Sequence, residues 1–163
     1  MLKKLSIFAV ILIIFGVAGA VLTYSPEEIK AITEQKSIEM ESVDSVTISS
    51  ISADVEVISS KTATQASVEL IGQAKSSQMP TLKAKVMNGE LVIDAEIPSN
   101  EKFFNIDFSF GFHSPTFELI VILPEKQYNN LDITTVSGDI YIEEISSLDT
   151  LISTVSGDVE IET

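Results

Sequence analysis

Three aspartates of the chain share one local setting: Asp54 in Ser-Ala-Asp-Val-Glu-Val, Asp139 in Ser-Gly-Asp-Ile-Tyr-Ile and Asp158 in Ser-Gly-Asp-Val-Glu-Ile. On neighbouring strands about 4.8 Å apart their carboxylates would repel one another. A Ca²⁺ ion, which takes oxygen ligands, would relieve that repulsion. The competing reading has each Asp accepting backbone N–H bonds within its own turn. The sequence favours the turn reading, because it lacks the dense Gly-Gly-x-Gly-x-Asp pattern of calcium-binding β-rolls. His113 is the only histidine and precedes Ser114-Pro115, so it reads as a turn residue without the partners of a dyad or a metal site. Paired carboxylates can hydrolyse glycosides, but a polysaccharide groove needs many coils and basic groups, and this chain has no Arg. There is no cysteine. No catalytic, cofactor-binding or metal-ligating residue is assigned, no cofactor is expected, and the chain reads as non-enzymatic.

Charge narrows the partners. The chain has 10 basic residues, all lysine, against 24 acids, for a net charge of −14. Lys3 and Lys4 precede the first apolar run and every acid follows it. The remainder is therefore more acidic still. Such a body repels nucleic acid and favours cations or a basic partner.

The N-terminus reads as an address. Leu5–Leu22 is an uncharged apolar run, roughly 27 Å long as a helix and close to the roughly 30 Å of a bilayer core. Lys3 and Lys4 place the tail in the cytoplasm and the body outside. Ala18-Gly19-Ala20 offers the alternative of a signal peptide cleaved near Ala20. The expected organisation is a cytoplasmic tail over 1–4, a transmembrane helix over 5–23, a partly helical juxtamembrane spacer over 24–41 and a β-rich body over 42–163. The spacer helix is read from Ser25 as N-cap, Pro26 at the first position and Glu28 closing a capping box.

In the body the apolar period is two. Leu82–Ile97 reads as a hairpin about an Asn88-Gly89 type I′ turn, with Val86 facing Leu91, Ala84 facing Ile93, Leu82 facing Ala95, and Lys83 paired with Asp94. Phe104, Ile106, Phe108, Phe110 and Phe112 form one face of a further strand, which is either packed or an exposed docking patch. Phe117–Leu123 is almost wholly apolar, as for a strand buried on both faces. Tyr128 and Tyr141 are isolated aromatics.

The most specific signal is a repeat. Leu131–Glu143 and Thr150–Glu162 share Thr-Val-Ser-Gly-Asp, and Val46–Val57 is a weaker copy with Ala53 in place of the glycine. Each copy reads as strand–turn–strand. Ile133, Val136, Ile140 and Ile142 point to the core, and Gly138 and Gly157 supply freedom at the bend. About five aliphatics worth about 2 kcal/mol each do not offset roughly 1.5 kcal/mol for each residue ordered. Copies must therefore stack. The expected fold is all-β: a short, single-stranded β-solenoid or sandwich-like body behind an N-terminal transmembrane helix.

With its N-terminal apolar segment, the Ser-Ala-Asp-Val-Glu-Val unit, the hairpin, Leu-Pro-Glu-Lys-Gln-Tyr-Asn-Asn-Leu-Asp-Ile and the two Ser-Gly-Asp copies, the chain resembles the LiaG-like putative adhesins, a domain-of-unknown-function family of bacterial envelope proteins. The resemblance covers about residues 42–163 and the anchor. It implies a membrane-anchored solenoid that serves as an interaction or scaffold module, binding an envelope protein or a wall polymer. It also implies an alternative role as an accessory sensor in envelope-stress signalling. It carries over no catalytic residues. Members of that family usually have more Ser-Gly-Asp coils, so the last coil here is expected to expose an edge, with Glu160 and Glu162 discouraging edge-to-edge pairing.

Overall fold

Alternation of apolar and polar residues gives strands, and the fold is decided by how they stack. The computed structural model describes residues 28–76, 79–96 and 116–162. The apolar run Leu5–Leu22, the Phe104–Phe112 stripe and His113 lie outside these. Among the described residues no helix is long and apolar enough to cross a membrane.

Eleven strands are described: β1 (Ile29–Glu39), β2 (Ser45–Ser50), β3 (Ala53–Ser60), β4 (Gln65–Lys75), β5 (Thr81–Met87), β6 (Glu90–Glu96), β7 (Thr116–Pro124), β8 (Gln127–Ser137), β9 (Ile140–Glu143), β10 (Ser146–Ser156) and β11 (Val159–Glu162). They form a six-stranded sheet, β1-β4-β7-β3-β9-β11, and a five-stranded sheet, β10-β8-β2-β6-β5. The pairs β2–β3, β8–β9 and β10–β11 each place one strand in either sheet, so each is one coil of a solenoid. β6 and β7 form a fourth coil, with residues 97–115 inserted at its corner. Spatial order departs from chain order, because the upstream copy β2–β3 lies between β6–β7 and β8–β9.

The three repeats stack in parallel. Val46 lies beside Leu131, Ile48 beside Ile133 and Val55 beside Ile140. Ile133 lies beside Ile152, and Ile140 beside Val159. Inward positions Val46, Ile48, Val55, Val57, Leu131, Ile133, Ile140 and Ile142 are buried, as are Leu119, Val121, Leu91 and Ile93. Each such side chain contributes about 1.5–3 kcal/mol. Val136 does not join them. It is 47 % exposed, as are Ile51 at 47 % and Val155 at 80 % at the equivalent positions, because it has the opposite parity to the inward residues Leu131, Ile133 and Thr135 of β8.

Bend freedom is used at Gly157, whose φ is 157°, and the corners add a second reason for both glycines. A Cβ on Gly138 would lie 2.2 Å from the Ala53 carbonyl oxygen, and one on Gly157 would lie 2.1 Å from that of Gly138. The glycines are needed because one corner's backbone rests on the next. Ala53 is tolerated because its neighbour is Phe117 at the start of β7 and not a tight corner. It is 3 % exposed. Hydrogen bonds tie the corners together: Ser137 N–H donates to the Ile51 carbonyl at 2.9 Å, Val55 N–H to Asp139 at 2.8 Å and Ile140 N–H to Asp158 at 2.9 Å. Corner amides are thus satisfied by the neighbouring coil.

The hairpin has the expected register, including Lys83 beside Asp94 and Val86 beside Leu91. Asn88 and Gly89 have φ of 54° and 84°. Val86 is nevertheless exposed, and the Lys83 ammonium pairs diagonally with Glu96 at 2.6 Å and not with Asp94. β7 buries Phe117, Leu119, Val121 and Leu123. Its other face is half-open at Ile120 and Ile122 and exposed at Glu118, so it is buried on one face only.

The spacer expectation over 24–41 is corrected: Ile29–Glu39 is a strand, antiparallel to β4 along its whole length. An 11-residue ladder outweighs a thin helical stripe, and the body begins well before residue 42. β1 also closes one end of the solenoid. The Glu34 carboxylate accepts from Leu82 N–H at 3.1 Å, and the Lys36 ammonium donates to the Leu82 carbonyl at 2.7 Å. Two inward charges of β1 therefore bridge the sheets through the backbone of β5.

Corner stacking has a direct consequence. Gly138→Ala is expected to cost about 3 kcal/mol in urea denaturation, whereas Val136→Ala, at a position of the same corner whose side chain is exposed, is expected to cost under about 0.5 kcal/mol. Equal losses would mean that the corners do not carry the stack.

Candidate interaction face

Parallel stacking of the repeats places like residues in rows across the outer face of the six-stranded sheet. One row is Glu118, Asp54, Asp139 and Asp158; the next is Ile120, Glu56, Tyr141 and Glu160; a third is Ile122, Ile58, Glu143 and Glu162. None of β3, β7, β9 and β11 contains a lysine. The lysines of this sheet, Lys30, Lys36 and Lys75, lie on its outer strands β1 and β4, as those of the opposite sheet, Lys83 and Lys85, lie on its edge strand β5. A shallow groove of about 430 Å³ runs over the acidic rows, lined by Asp54, Glu56, Glu118, Asp139, Tyr141, Asp158 and Glu160 among others.

The three repeat aspartates are brought together, but not as a cation cage. Asp139 N–H donates to the Asp54 carboxylate at 2.9 Å, and Asp158 N–H donates to that of Asp139 at 2.8 Å. Each carboxylate therefore accepts from the following coil's corner, and not from its own turn. These bonds place charge against backbone dipoles and offset the repulsion along the row. Among the described residues no group of three or more His, Cys, Asp or Glu is arranged to hold a metal ion.

Both tyrosines are more than isolated aromatics. Tyr141 sits half-buried in the middle of the acidic rows. Its phenol is pushed up to about 12, first by desolvation against the sheet, then by hydrogen bonding to Glu162 and the charges of Glu162, Glu143 and Glu160. Tyr128 is a buried anchor whose hydroxyl donates to the Pro124 carbonyl at 2.9 Å, and burial pushes its phenol up to about 12. The Lys126 ammonium lies 5.2 Å from the Tyr128 ring centroid and donates to the carbonyls of Met40, at 2.9 Å, and Val43. That contact pins the turn between β1 and β2. The Tyr141 site was legible only as one aromatic replacing Glu directly after Asp-Ile or Asp-Val; its acidic surroundings come from stacking.

Residues 43–163 match the family model described as Toastrack DUF4097. The chain belongs to the Toastrack DUF4097 family. β1 precedes the matched region. Solved structures similar to this Toastrack chain include a putative adhesin from Bacteroides fragilis, 15% identical, with a TM-score of 0.50, covering 81% of this chain and 53% of that one. This chain therefore spans about half of that protein's length. A putative cell adhesion protein from Clostridium sporogenes is 11% identical, with a TM-score of 0.47, covering 82% of this chain and 99% of that one. No curated protein matches the chain.

The raised phenols have a pH signature. The folded state holds these protons more tightly than the unfolded chain, whose tyrosines ionise near pH 10. Their contribution to stability is complete below about pH 10 and is lost as pH rises toward 12. Phenolate absorbance of the folded protein is expected to include two late transitions, and Tyr141→Phe to remove one of them. A titration in which both phenols ionise near pH 10 would contradict the described surroundings.

Proposed function

We propose that this Toastrack chain is a non-catalytic interaction module of the cell envelope, held outside the cytoplasm by Leu5–Leu22, which docks a cationic partner on the outer face of its six-stranded sheet. The observation that carries the reading is the set of rows through Asp54, Glu56 and Tyr141, a lysine-free acidic surface with an aromatic ring at its centre. Acids of one sign on a shared face steer and hold a partner of the opposite sign. The Tyr141 ring adds a site for an ammonium or guanidinium group. Support for the adhesive character comes from the name borne by the Bacteroides protein, and the LiaG-like resemblance belongs to the same proposal. A basic envelope protein or a wall polymer bearing amines would meet the chemistry.

The test is binding of a flexible oligolysine to the full chain by fluorescence anisotropy. Glu56→Lys with Glu118→Lys is expected to weaken binding about 10-fold, corresponding to about 1.4 kcal/mol. The control Glu39→Lys with Glu125→Lys makes the same change in net charge at exposed positions outside the groove and is expected to leave affinity within about 2-fold. Equal losses in the two variants would reduce the attraction to net charge and remove the face as a site. For the anchor, the full chain is expected to remain with membranes after alkaline extraction, and recovery in the soluble fraction would refute a spanning helix.

A further inference from the structure

An apolar strip crosses the outer face of the six-stranded sheet among its acids. Ile71 of β4 lies beside Glu118 of β7, Ile120 of β7 lies between Glu69 of β4 and Glu56 of β3, and Ile122 of β7 lies beside Ile58 of β3. These four isoleucines alternate with the buried Leu70, Leu119, Val121 and Val57, so they point outward, and each is half-exposed. With strands about 4.8 Å apart and outward residues about 6.8 Å apart along a strand, Ile71, Ile120 and Ile58 lie on one diagonal about 17 Å long. Ile122 widens it. Glu69 borders the diagonal on one side, and Glu118, Glu56 and Glu143 border it on the other. A hollow of about 360 Å³ at the Ile71 end is lined by Asp54, Ile71, Gly72, Phe117 and Glu118. Contiguous apolar surface rimmed by polar groups marks a contact site.

The backbone beneath the strip is already occupied. β4, β7 and β3 each pair with a strand on both sides, so a ligand meets side chains only and must satisfy its own backbone. A helix does so and offers a continuous apolar stripe. At 1.5 Å per residue, about 11 residues span the diagonal. The bordering acids decide the rest of the ligand. An anionic bilayer surface is repelled, and a second copy brings the same excess of acid. The chain's own aromatic segment, 97–115, holds one lysine against two acids, and so leaves the borders unmatched. We propose that the strip docks an amphipathic helix of a partner protein, with Leu, Ile or Val along its apolar face and Lys or Arg along both borders. The apolar residues cover Ile71, Ile120 and Ile58. One basic border meets Glu69 and the other meets Glu118, Glu56 and Glu143. Tyr141, one strand beyond Glu56, receives a cation on its ring. The inference rests on the reading of the acidic face as a docking surface and adds a conformation and an apolar requirement to the ligand.

The experiment presents the full chain in phosphatidylcholine discs, with empty discs as the blank, to two labelled peptides of about 14 residues and identical leucine and lysine content. One gathers its leucines on a single helical face; the other spreads them around the helix. The first is expected to bind at least about 10-fold more tightly. Ile58→Thr with Ile120→Thr, which keeps β-branched residues on both strands, is expected to weaken it about 10-fold and to leave oligolysine binding within about 2-fold, which also reports an intact sheet. Glu69→Lys, a surface change on the border away from the groove, is expected to weaken it about 3-fold. Equal binding of the two peptides, or indifference of the first to Glu69→Lys, would overturn the helix strip and leave the acidic face standing. A dimer in sedimentation that the first peptide dissolves would give the strip to a second copy. Tighter peptide binding in Phe108→Ser with Phe110→Ser would give it to residues 97–115. Either result overturns the partner helix. Failure of both peptides and of oligolysine to bind would overturn the docking face itself.

Discussion

Backbone contact between successive corners is the constraint on which this fold depends. At Gly138 and Gly157 the carbonyl of one coil lies where a side chain would begin on the next. That approach brings the strands on either side into ladder distance in both sheets together. The same closeness lets Asp139 and Asp158 donate their N–H groups to the carboxylates of Asp54 and Asp139. Burial of Ile133, Ile140 and Ile142 between the sheets follows, since their neighbours above and below are equivalent aliphatics. A single corner therefore couples backbone satisfaction, electrostatics and core packing. Disturbing it acts on all three.

The stack also arranges the surface. Because equivalent residues superpose, an acid at a given position in each repeat becomes a row of acids. Repetition makes an extended one-sign face from short local motifs, without any loop or cleft built for the purpose. Tyr141 breaks the row and places a ring among carboxylates. The opposite sheet carries acids as well, Glu90, Asp94, Asp132 and Asp149, but sets them among Ser, Thr and Asn, with the Thr47 hydroxyl bonded to the Glu90 carboxylate.

Solenoids must manage their ends, and this one does so asymmetrically. β4 runs antiparallel to the coil strands of its sheet, β1 returns antiparallel to β4, and β1 turns Glu34 and Lys36 inward to the backbone of β5. Charged groups facing a sandwich interior are costly unless bonded, and here their partners are main-chain groups that would otherwise lack any. On β11, the last described strand, Val159 and Ile161 are 44% and 53% exposed where the equivalent Ile140 and Ile142 are buried.

Much of this was legible in the residues. Period-two alternation gave the all-β class, Asn88-Gly89 set the hairpin and its register, and the shared Ser-Gly-Asp units implied stacked coils, because each signal is local or repeats identically. Other features were settled by tertiary contact. Ile29–Glu39 carries a helix-start signal yet pairs with β4, because an available sheet edge outweighs a weak local preference. The upstream copy lies inside the stack and not at its start, which no local pattern encodes. Val136 faces solvent because alternation from Ile133 puts Thr135, and not Val136, inside, and the aspartates bond across coils and not within turns. The proposed membrane anchoring rests on Leu5–Leu22 by sequence alone. The acidic face exists only because separate copies are brought side by side, where strand neighbours, and not chain neighbours, decide what a residue meets.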